Sequence, residues 1–218
     1  MIQIHTLPLG PLQTNCFVVH KEASKVCAVI DPGEDFPKLW KFLQAKDLAV
    51  EAILLTHGHF DHVGGVEELV KHTGCSVWQH EADWAVSYGP LTSNLFPIAQ
   101  CTFTPVHLLK EGDTVQAAGM TFSVLHTPGH TPGHVSLYEP EAGVLFTGDT
   151  LFRESIGRTD LPGGDYSWIM RSIIDNLLPL GDEVKIYPGH GDDSTIGHES
   201  MYNPFVVEVL NNEVNYKN

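Results

Sequence analysis

The chain of 218 residues has few basic residues, with 12 Lys and Arg against 27 Asp and Glu and a formal net charge of −15 at pH 7. Such a charge repels a phosphate backbone, so a nucleic-acid partner is disfavoured.

Cysteine is also scarce. The four cysteines, Cys16, Cys27, Cys75 and Cys101, form neither a CxxC metal motif nor a dense disulfide framework. They are predicted to be reduced, buried thiols.

Long apolar runs are missing as well. The first residues lack the basic and apolar regions of a signal peptide, and no run of 18 apolar residues occurs. No Ser/Gly/Pro-rich linker or low-complexity segment divides the chain. We therefore expect one cytoplasmic domain over residues 1–218, with no membrane partner.

The sequence does contain a concentration of histidine, directly after the apolar, strand-like run 52–55. Extended backbone places positions i and i+2 on the same side, so His57 and His59 can share one ion at the end of this strand. Asp61 and His62 follow where a helix begins, and they can reach a second ion. The motif predicts two metal ions. A histidine-rich surface loop that binds metal only adventitiously is the alternative.

Three further candidate ligands make that alternative less attractive. His130, Asp149 and His190 each stand at a glycine-containing turn beside a strand-like apolar run. A carboxylate at a strand tip, such as Asp149, can bridge two cations about 3.5 to 4 Å apart, which is the separation that two-metal hydrolysis uses. The segment 126–134 holds three imidazoles, but its two Pro-Gly pairs exclude a helix, so only one of them is expected to be a ligand.

The order of strand-like and helical patterns predicts the fold class. Apolar runs predict a first series of strands at 2–7, 15–20, 26–30, 50–56 and 76–80. A second series begins at Val106 and continues at 115–117, 121–126, 135–138, 144–147 and 184–187. Helical spacing predicts helices at 35–45, 63–73, 82–88 and 167–178. Two mixed sheets packed face to face with helices outside, an αββα sandwich of the α/β class, bury both series in one core. Trp40, Trp168 and Met170 are predicted to lie in that core.

The HxHxDH motif with His130, Asp149 and His190 resembles the metallo-β-lactamase superfamily. Within it, the segments PGHG at 188–191, TIGHE at 195–199 and NPF at 203–205 are similar to the hydroxyacylglutathione hydrolases (glyoxalase II) and their shorter relatives. The resemblance spans residues 2–205. The helical domain that full-length glyoxalase II adds at the C-terminus, which supplies most of its glutathione contacts, is not expected here.

The resemblance implies a division of the ligands. His57, His59 and His130 are assigned to one metal, Asp61, His62 and His190 to the other, and Asp149 to both. This donor set suits zinc first, with iron or manganese as alternatives. His134 is then a hydrogen-bonded structural histidine. Asp31, at the end of a strand, either accepts a hydrogen bond from a ligand imidazole or forms a simple Asx turn, and the resemblance favours the former.

The activity implied is hydrolysis of a small-molecule thioester, S-lactoylglutathione or another glutathione conjugate among the candidates, by a metal-bridging hydroxide. Asp61 is placed to orient that hydroxide or to carry a proton to the leaving group. Arg158 stands near the position at which the glyoxalase II family grips a glutathione carboxylate, and pairing with Asp160 or Glu154 is its alternative role. The rival functions are a persulfide dioxygenase with one iron, a lactonase, disfavoured because Phe152 stands where the resembling lactonases have Tyr, and a non-enzymatic metal-binding scaffold.

Overall fold

Two six-stranded sheets pack face to face, and helices cover both outer faces. The structure is a computed structural model, and it describes residues 1–87 and 106–216. The loop predicted at 89–97 and Cys101 lie outside these ranges. The predicted αββα sandwich of two mixed sheets is confirmed.

The first sheet has the order β1-β2-β3-β4-β5-β6. Its strands are β1 Ile2–Leu9, β2 Thr14–Lys21, β3 Val26–Ile30, β4 Ala49–Leu54, β5 Ser76–His80 and β6 Val106–Leu109. Neighbours from β1 to β3 are antiparallel, and those from β3 to β6 are parallel. The sequence pattern grouped β6 with the second series, and this grouping was wrong because β6 pairs with β5.

The second sheet has the order β14-β13-β10-β9-β8-β7, in which only the pair β10 and β13 is parallel. Its strands are β7 Thr114–Ala117, β8 Met120–His126, β9 Val135–Glu139, β10 Val144–Gly148, β13 Lys185–Pro188 and β14 Ser194–Thr195. A short hairpin, β11 Leu151–Phe152 with β12 Ser155–Ile156, follows β10.

The helices are α1 Phe36–Lys46, α2 Phe60–Val63, α3 Val66–Thr73, α4 Glu81–Ser87, α5 Tyr166–Arg171, α6 Ile196–Tyr202 and α7 Pro204–Tyr216. Among the described residues, none of these helices has the length and apolar character that a membrane span requires. The helix predicted at 63–73 begins later, because α2 ends at Val63 and α3 begins at Val66. Gly64 and Gly65 lie between them, and glycine disfavours a continuous helix. A Cβ on Gly65 would lie 2.6 Å from the carbonyl oxygen of Gly33, so this position packs closely against the loop after β3.

Apolar side chains fill three layers. The layer between the sheets is built on Phe17, Phe122 and Phe146, each at most 2% exposed. Helices α1 and α3 pack leucines against the outer face of the first sheet, and α5 and α7 pack aliphatic side chains against the second.

Cys16, Cys27 and Cys75 are buried and unpaired, as predicted. Burial raises the pKa of Cys27 to about 12, so this thiol stays protonated and unreactive.

The helix predicted at 167–178 differs from the observed segment. Asp165 caps α5 by accepting a hydrogen bond from the backbone N–H of Trp168 (2.8 Å), and the helix continues as a π-helical segment, Ser172–Leu177, and a 3₁₀ turn, Leu178–Leu180. The prediction of a buried Trp168 was wrong, because its side chain is 52% exposed. Ile169, Met170 and Ile173 define the buried face, and Trp168 lies roughly 150° from its centre at 100° per residue.

Adjacent residues of α5 therefore offer a test of this burial pattern. Ile169→Ala is expected to lower the free energy of unfolding by about 2 to 5 kcal/mol, because it opens a cavity in the buried layer. Trp168→Ala is expected to change it by only about 0.5 kcal/mol, as for other surface substitutions. Urea denaturation followed by circular dichroism measures both. A loss at Trp168 as large as that at Ile169 would contradict the assignment of faces.

Candidate metal centre

The seven predicted ligands meet at one end of the sandwich, where strands of both sheets finish. His57 and His59 follow β4, while Asp61 and His62 lie in α2. The other three stand in connections that leave strands of the second sheet: His130 between β8 and β9, Asp149 after β10 and His190 after β13.

His57, His59 and His130 form the first ligand group. The Nδ1 atom of His59 lies 3.0 Å from Nε2 of His57 and 2.9 Å from Nε2 of His130. His57 and His130 are almost completely buried. Three imidazole nitrogens thus converge on one point, as a shared cation requires.

Asp61, His62 and His190 form the second ligand group. The Oδ2 atom of Asp61 lies 3.5 Å from Nε2 of His62 and 3.3 Å from Nε2 of His190. His190 is the more open of the two histidines, with a side chain 29% exposed, whereas His62 is fully buried. The second group therefore faces solvent on the His190 side.

Asp149 borders both groups. Its Oδ1 atom lies 3.4 Å from Nε2 of His62, and its Oδ2 atom lies 3.5 Å from Nε2 of His130 and 3.6 Å from Nε2 of His190. Two ligands about 2.0 to 2.1 Å from one tetrahedral ion lie about 3.3 Å apart, so these separations suit atoms that share an ion. The carboxylate is placed as a bridge would be.

Two buried atoms of this cluster test whether metal ions fit. Within residues 1–87 and 106–216, the Nε2 atom of His62 and the Oδ1 atom of Asp149 find no hydrogen-bond partner. A buried polar atom without a partner is costly, and a cation between the two satisfies both. The histidine and aspartate cluster thus fits divalent metal ions, and its nitrogen and oxygen donors are compatible with zinc, iron or manganese.

Asp31 sets the orientation of two ligand imidazoles. Its Oδ2 atom accepts hydrogen bonds from Nδ1 of His62 (2.9 Å) and from the hydroxyl of Thr56 (2.6 Å). The Thr56 hydroxyl in turn lies 3.0 Å from Nδ1 of His57. With Nδ1 as the donor, the Nε2 lone pair of each imidazole points at the cluster. Of the two roles considered for Asp31, this geometry corresponds to the hydrogen-bond acceptor.

Backbone carbonyls orient two further imidazoles, those of His130 and His190. Nδ1 of His130 lies 2.8 Å from the carbonyl oxygen of Arg158, and Nδ1 of His190 lies 3.3 Å from that of Leu12. Asp61 is held by the hydroxyl of Thr14, which donates to its Oδ2 atom at 2.9 Å. These contacts turn the Nε2 atoms and the carboxylate inward.

The pKa values of His57 and His59 indicate neutral imidazoles. Burial lowers the pKa of His57 well below its usual value, and the neighbouring histidines lower it further. Burial and the nearby His130 lower the pKa of His59 to about 4. Both side chains are therefore unprotonated near neutral pH and offer lone pairs to a cation.

The second group has the opposite electrostatic character. Burial alone would lower the pKa of His62, but Asp149 and Asp31 raise it well above the usual value. Burial alone would raise the pKa of Asp61, but its hydrogen bond from His190 and the charge of His62 hold it at about 2. The carboxylates thus create a field that favours positive charge at this position, whether a proton or a metal ion supplies it.

His134 and His126 do not belong to either ligand group. His134 accepts a hydrogen bond at Nε2 from the backbone N–H of Asp149 (3.0 Å), and its Nδ1 atom lies 2.9 Å from the hydroxyl of Thr127. Nε2 of His126 contacts the carbonyl oxygen of Pro132 at 2.9 Å. His134 thus holds the backbone of the bridging candidate.

Arg158 lies on the surface beside the centre. Its guanidinium donates from two nitrogens to the carboxylate of Asp160, each at 2.8 Å, and its side chain is 57% exposed. Glu154 pairs instead with His198 at 3.0 Å. Of its two considered partners, Arg158 therefore contacts Asp160.

Sequence reasoning missed three residues that support the ligands: Thr14, Thr56 and Asp83. Each is a polar residue that the fold buries, and no local pattern in the sequence marks it as a support. Thr14 opens the buried strand β2, Thr56 follows β4, and Asp83 lies in α4.

Comparison with known proteins agrees with this geometry. The family model for the metallo-β-lactamase superfamily matches residues 9–190, a span that contains all seven candidate ligands. The hydroxyacylglutathione hydrolase GloC of Haemophilus influenzae is 40% identical over 209 residues, which cover 94% of this chain and 98% of that protein.

Two solved structures are also similar. The B3 metallo-β-lactamase BLEG-1 is 40% identical, with a TM-score of 0.88, and the match covers 94% of this chain and 99% of that one. The protein TTHA1623, solved in a di-iron-bound form, is 42% identical, with a TM-score of 0.82 and coverage of 92% and 99%. This chain therefore belongs to the metallo-β-lactamase superfamily and is a metal-dependent hydrolase.

Proposed function

We propose that the chain is a binuclear metallohydrolase that cleaves a thioester such as S-lactoylglutathione. The observation that carries this proposal is the position of the Asp149 carboxylate, which borders both ligand groups at 3.4 to 3.6 Å and whose Oδ1 atom has no hydrogen-bond partner among the described residues. The first group would hold one ion and the second group the other, and Asp149 would contribute to both. Similarity to GloC supports the choice of a hydroxyacyl thioester.

Two ions held by these residues would supply Lewis-acid activation of a carbonyl group and a hydroxide nucleophile near neutral pH. Asp61 supplies the proton handling. Its Oδ2 atom is fixed by Thr14, and its side chain is 11% exposed, so it reaches the solvent-facing side of the centre. A carboxylate in that place orients the attacking water or carries a proton to the leaving thiolate.

A protein nucleophile is not required by this scheme. Cys16 and Cys27 are buried, and burial raises the pKa of each thiol, so neither is available as a thiolate.

An aromatic side chain lies beside the most open ligand. The centroids of the Phe152 and His190 rings are 6.2 Å apart. Phe152 gives the substrate an apolar contact next to the reacting centre.

Arg158 is proposed to bind a carboxylate of the thiol carrier in place of Asp160. The present pair is exposed to solvent, which screens its attraction, so a substrate carboxylate can replace Asp160 at small cost. The carbonyl oxygen of Arg158 lies 2.8 Å from Nδ1 of His130, so the backbone that carries this guanidinium contacts a ligand of the first group.

Metal content and thioester turnover, measured on one purified sample, test this function. Two ions per chain together with cleavage of S-lactoylglutathione, followed by release of the free thiol, are expected. One iron per chain, no cleavage and oxygen uptake with glutathione persulfide would refute the hydrolase and favour a dioxygenase.

Hydrolysis of a β-lactam is a second candidate, because BLEG-1 is named a B3 metallo-β-lactamase and matches this chain over 94% of its length. A chromogenic cephalosporin assayed on the same sample separates the two functions. A kcat/KM for the cephalosporin above that for S-lactoylglutathione would make the β-lactam the preferred substrate.

A further inference from the structure

A single buried carboxylate joins the two loops that carry the first ligand group. Asp83 in α4 is fully buried, and its Oδ2 atom accepts hydrogen bonds from the backbone N–H of Gly58 (2.9 Å) and the hydroxyl of Thr131 (2.6 Å). Its Oδ1 atom accepts one from the backbone N–H of Gly133 (2.5 Å). Gly58 stands between His57 and His59 in the sequence, and Thr131 follows His130 directly.

The two loops are closed tightly around this carboxylate. A Cβ on Gly133 would lie 2.6 Å from Oδ1 and 2.5 Å from the backbone nitrogen of Asp83, so only glycine allows the approach. Three donors converge on the two oxygens, a pattern that suits an ionised, acceptor-only group. An ionised Asp83 thus fixes the distance between loops whose ligands, His59 and His130, are 71 residues apart in the chain.

The second ligand group has a different support. His62 donates to Asp31, and Asp61 accepts from Thr14. The three hydrogen bonds of Asp83 described above all end on the loops of the first group. Asp31 reaches both groups, His62 directly and His57 through the Thr56 hydroxyl, whereas Thr14 contacts Asp61 of the second group. Asp83 and Thr14 therefore support different groups.

We propose that Asp83 is the positioning residue of the first ligand group, so that the ion held by His57, His59 and His130 depends on Asp83 and the other ion does not. This inference rests on the proposed function, because it assumes that two ions bind. It gives α4 a role in assembling the centre, although Asp83 is not itself one of the candidate ligands.

Metal titration of the stripped protein tests the inference. In Asp83→Asn, the side-chain amide keeps the size but turns an N–H₂ group toward a donor. The affinity of one of the two Co²⁺ ions is expected to fall by about 10- to 100-fold, as for other residues that orient metal ligands, while the other changes less than about 3-fold. The matched variant Thr14→Val, which removes the hydrogen bond to Asp61, should weaken the other ion.

Single-ligand variants identify which ion is affected. The visible spectrum of Co²⁺-loaded Asp83→Asn at one ion per chain should match that of His59→Ala, and the spectrum of Thr14→Val should match that of His190→Ala. Thr131→Val removes only one of the hydrogen bonds to Asp83, so it replaces Asp83→Asn in this experiment if that variant does not fold. It should weaken the same ion by about 10-fold.

Several results would overturn the inference. Equal weakening of both ions in Asp83→Asn or Thr131→Val indicates general loosening of the fold, and unchanged affinities in a folded variant show that Asp83 positions nothing. Fewer than two ions in the unmodified protein contradicts the proposed function and this inference together. Two ions without thioester turnover contradicts the proposed function alone.

Discussion

Asp149→Asn is expected to lower kcat/KM for the thioester by about 10³-fold and to reduce bound metal from two ions to one or fewer. The carboxylate borders both ligand groups, so its loss affects both ions at once. Metal ions contribute several kcal/mol of transition-state stabilisation, and each 1.36 kcal/mol corresponds to about a tenfold rate change. Steady-state kinetics with metal analysis on the same preparation measures both effects.

Asp47→Asn is the matched control for this substitution. Asp47 ends α1 at a φ of 55°, a conformation that Asn adopts readily, and its side chain is 88% exposed. It should retain full activity and two ions. Asp149→Asn with both ions bound and turnover within about tenfold of the unmodified protein would exclude a bridging role for Asp149.

The elements that the sequence predicts well are those with a strong local pattern. The strand before His57 and the helix around Leu39 and Leu43 each carry their signal within a few residues. Strand β6 and Trp168 were misassigned because their environments are decided by partners distant in the chain. Strand β6 is four residues long, and its pairing with β5 determines which sheet it belongs to. Trp168 is exposed because the neighbouring Ile169 lies on the helix face that is buried against the sheet.

The candidate ligands share that local character, since histidine and aspartate at glycine-containing strand ends are recognisable one at a time. The residues that hold the ligands in place cannot be recognised in this way. Thr14 meets Asp61 across 47 residues, and Asp83 meets Gly133 across 50. A threonine or an aspartate in an apolar segment has no periodicity that specifies its partner, so only the packing of the two sheets and α4 brings these pairs together.

Gly189→Ala is expected to cause a loss of activity comparable to that of Asp149→Asn, without altering any ligand. A Cβ at this position would overlap Oδ1 of Asp149 and lie 2.7 Å from Cε1 of His62. Both partners are buried, so neither can move away without breaking the contacts that orient it. We expect the second ion to be lost and kcat/KM to fall by about 10³-fold, measured by metal analysis and steady-state kinetics.

Gly191→Ala separates this effect from backbone strain. Gly191 has a φ of +77°, and a Cβ there meets no atom within 4 Å. The variant should lose about 1 to 2 kcal/mol of unfolding free energy, the cost of a left-handed conformation for a residue with a side chain, and keep both ions. If Gly191→Ala instead loses metal as completely as Gly189→Ala, then the stability of the loop after β13, and not room beside the Asp149 carboxylate, controls metal binding.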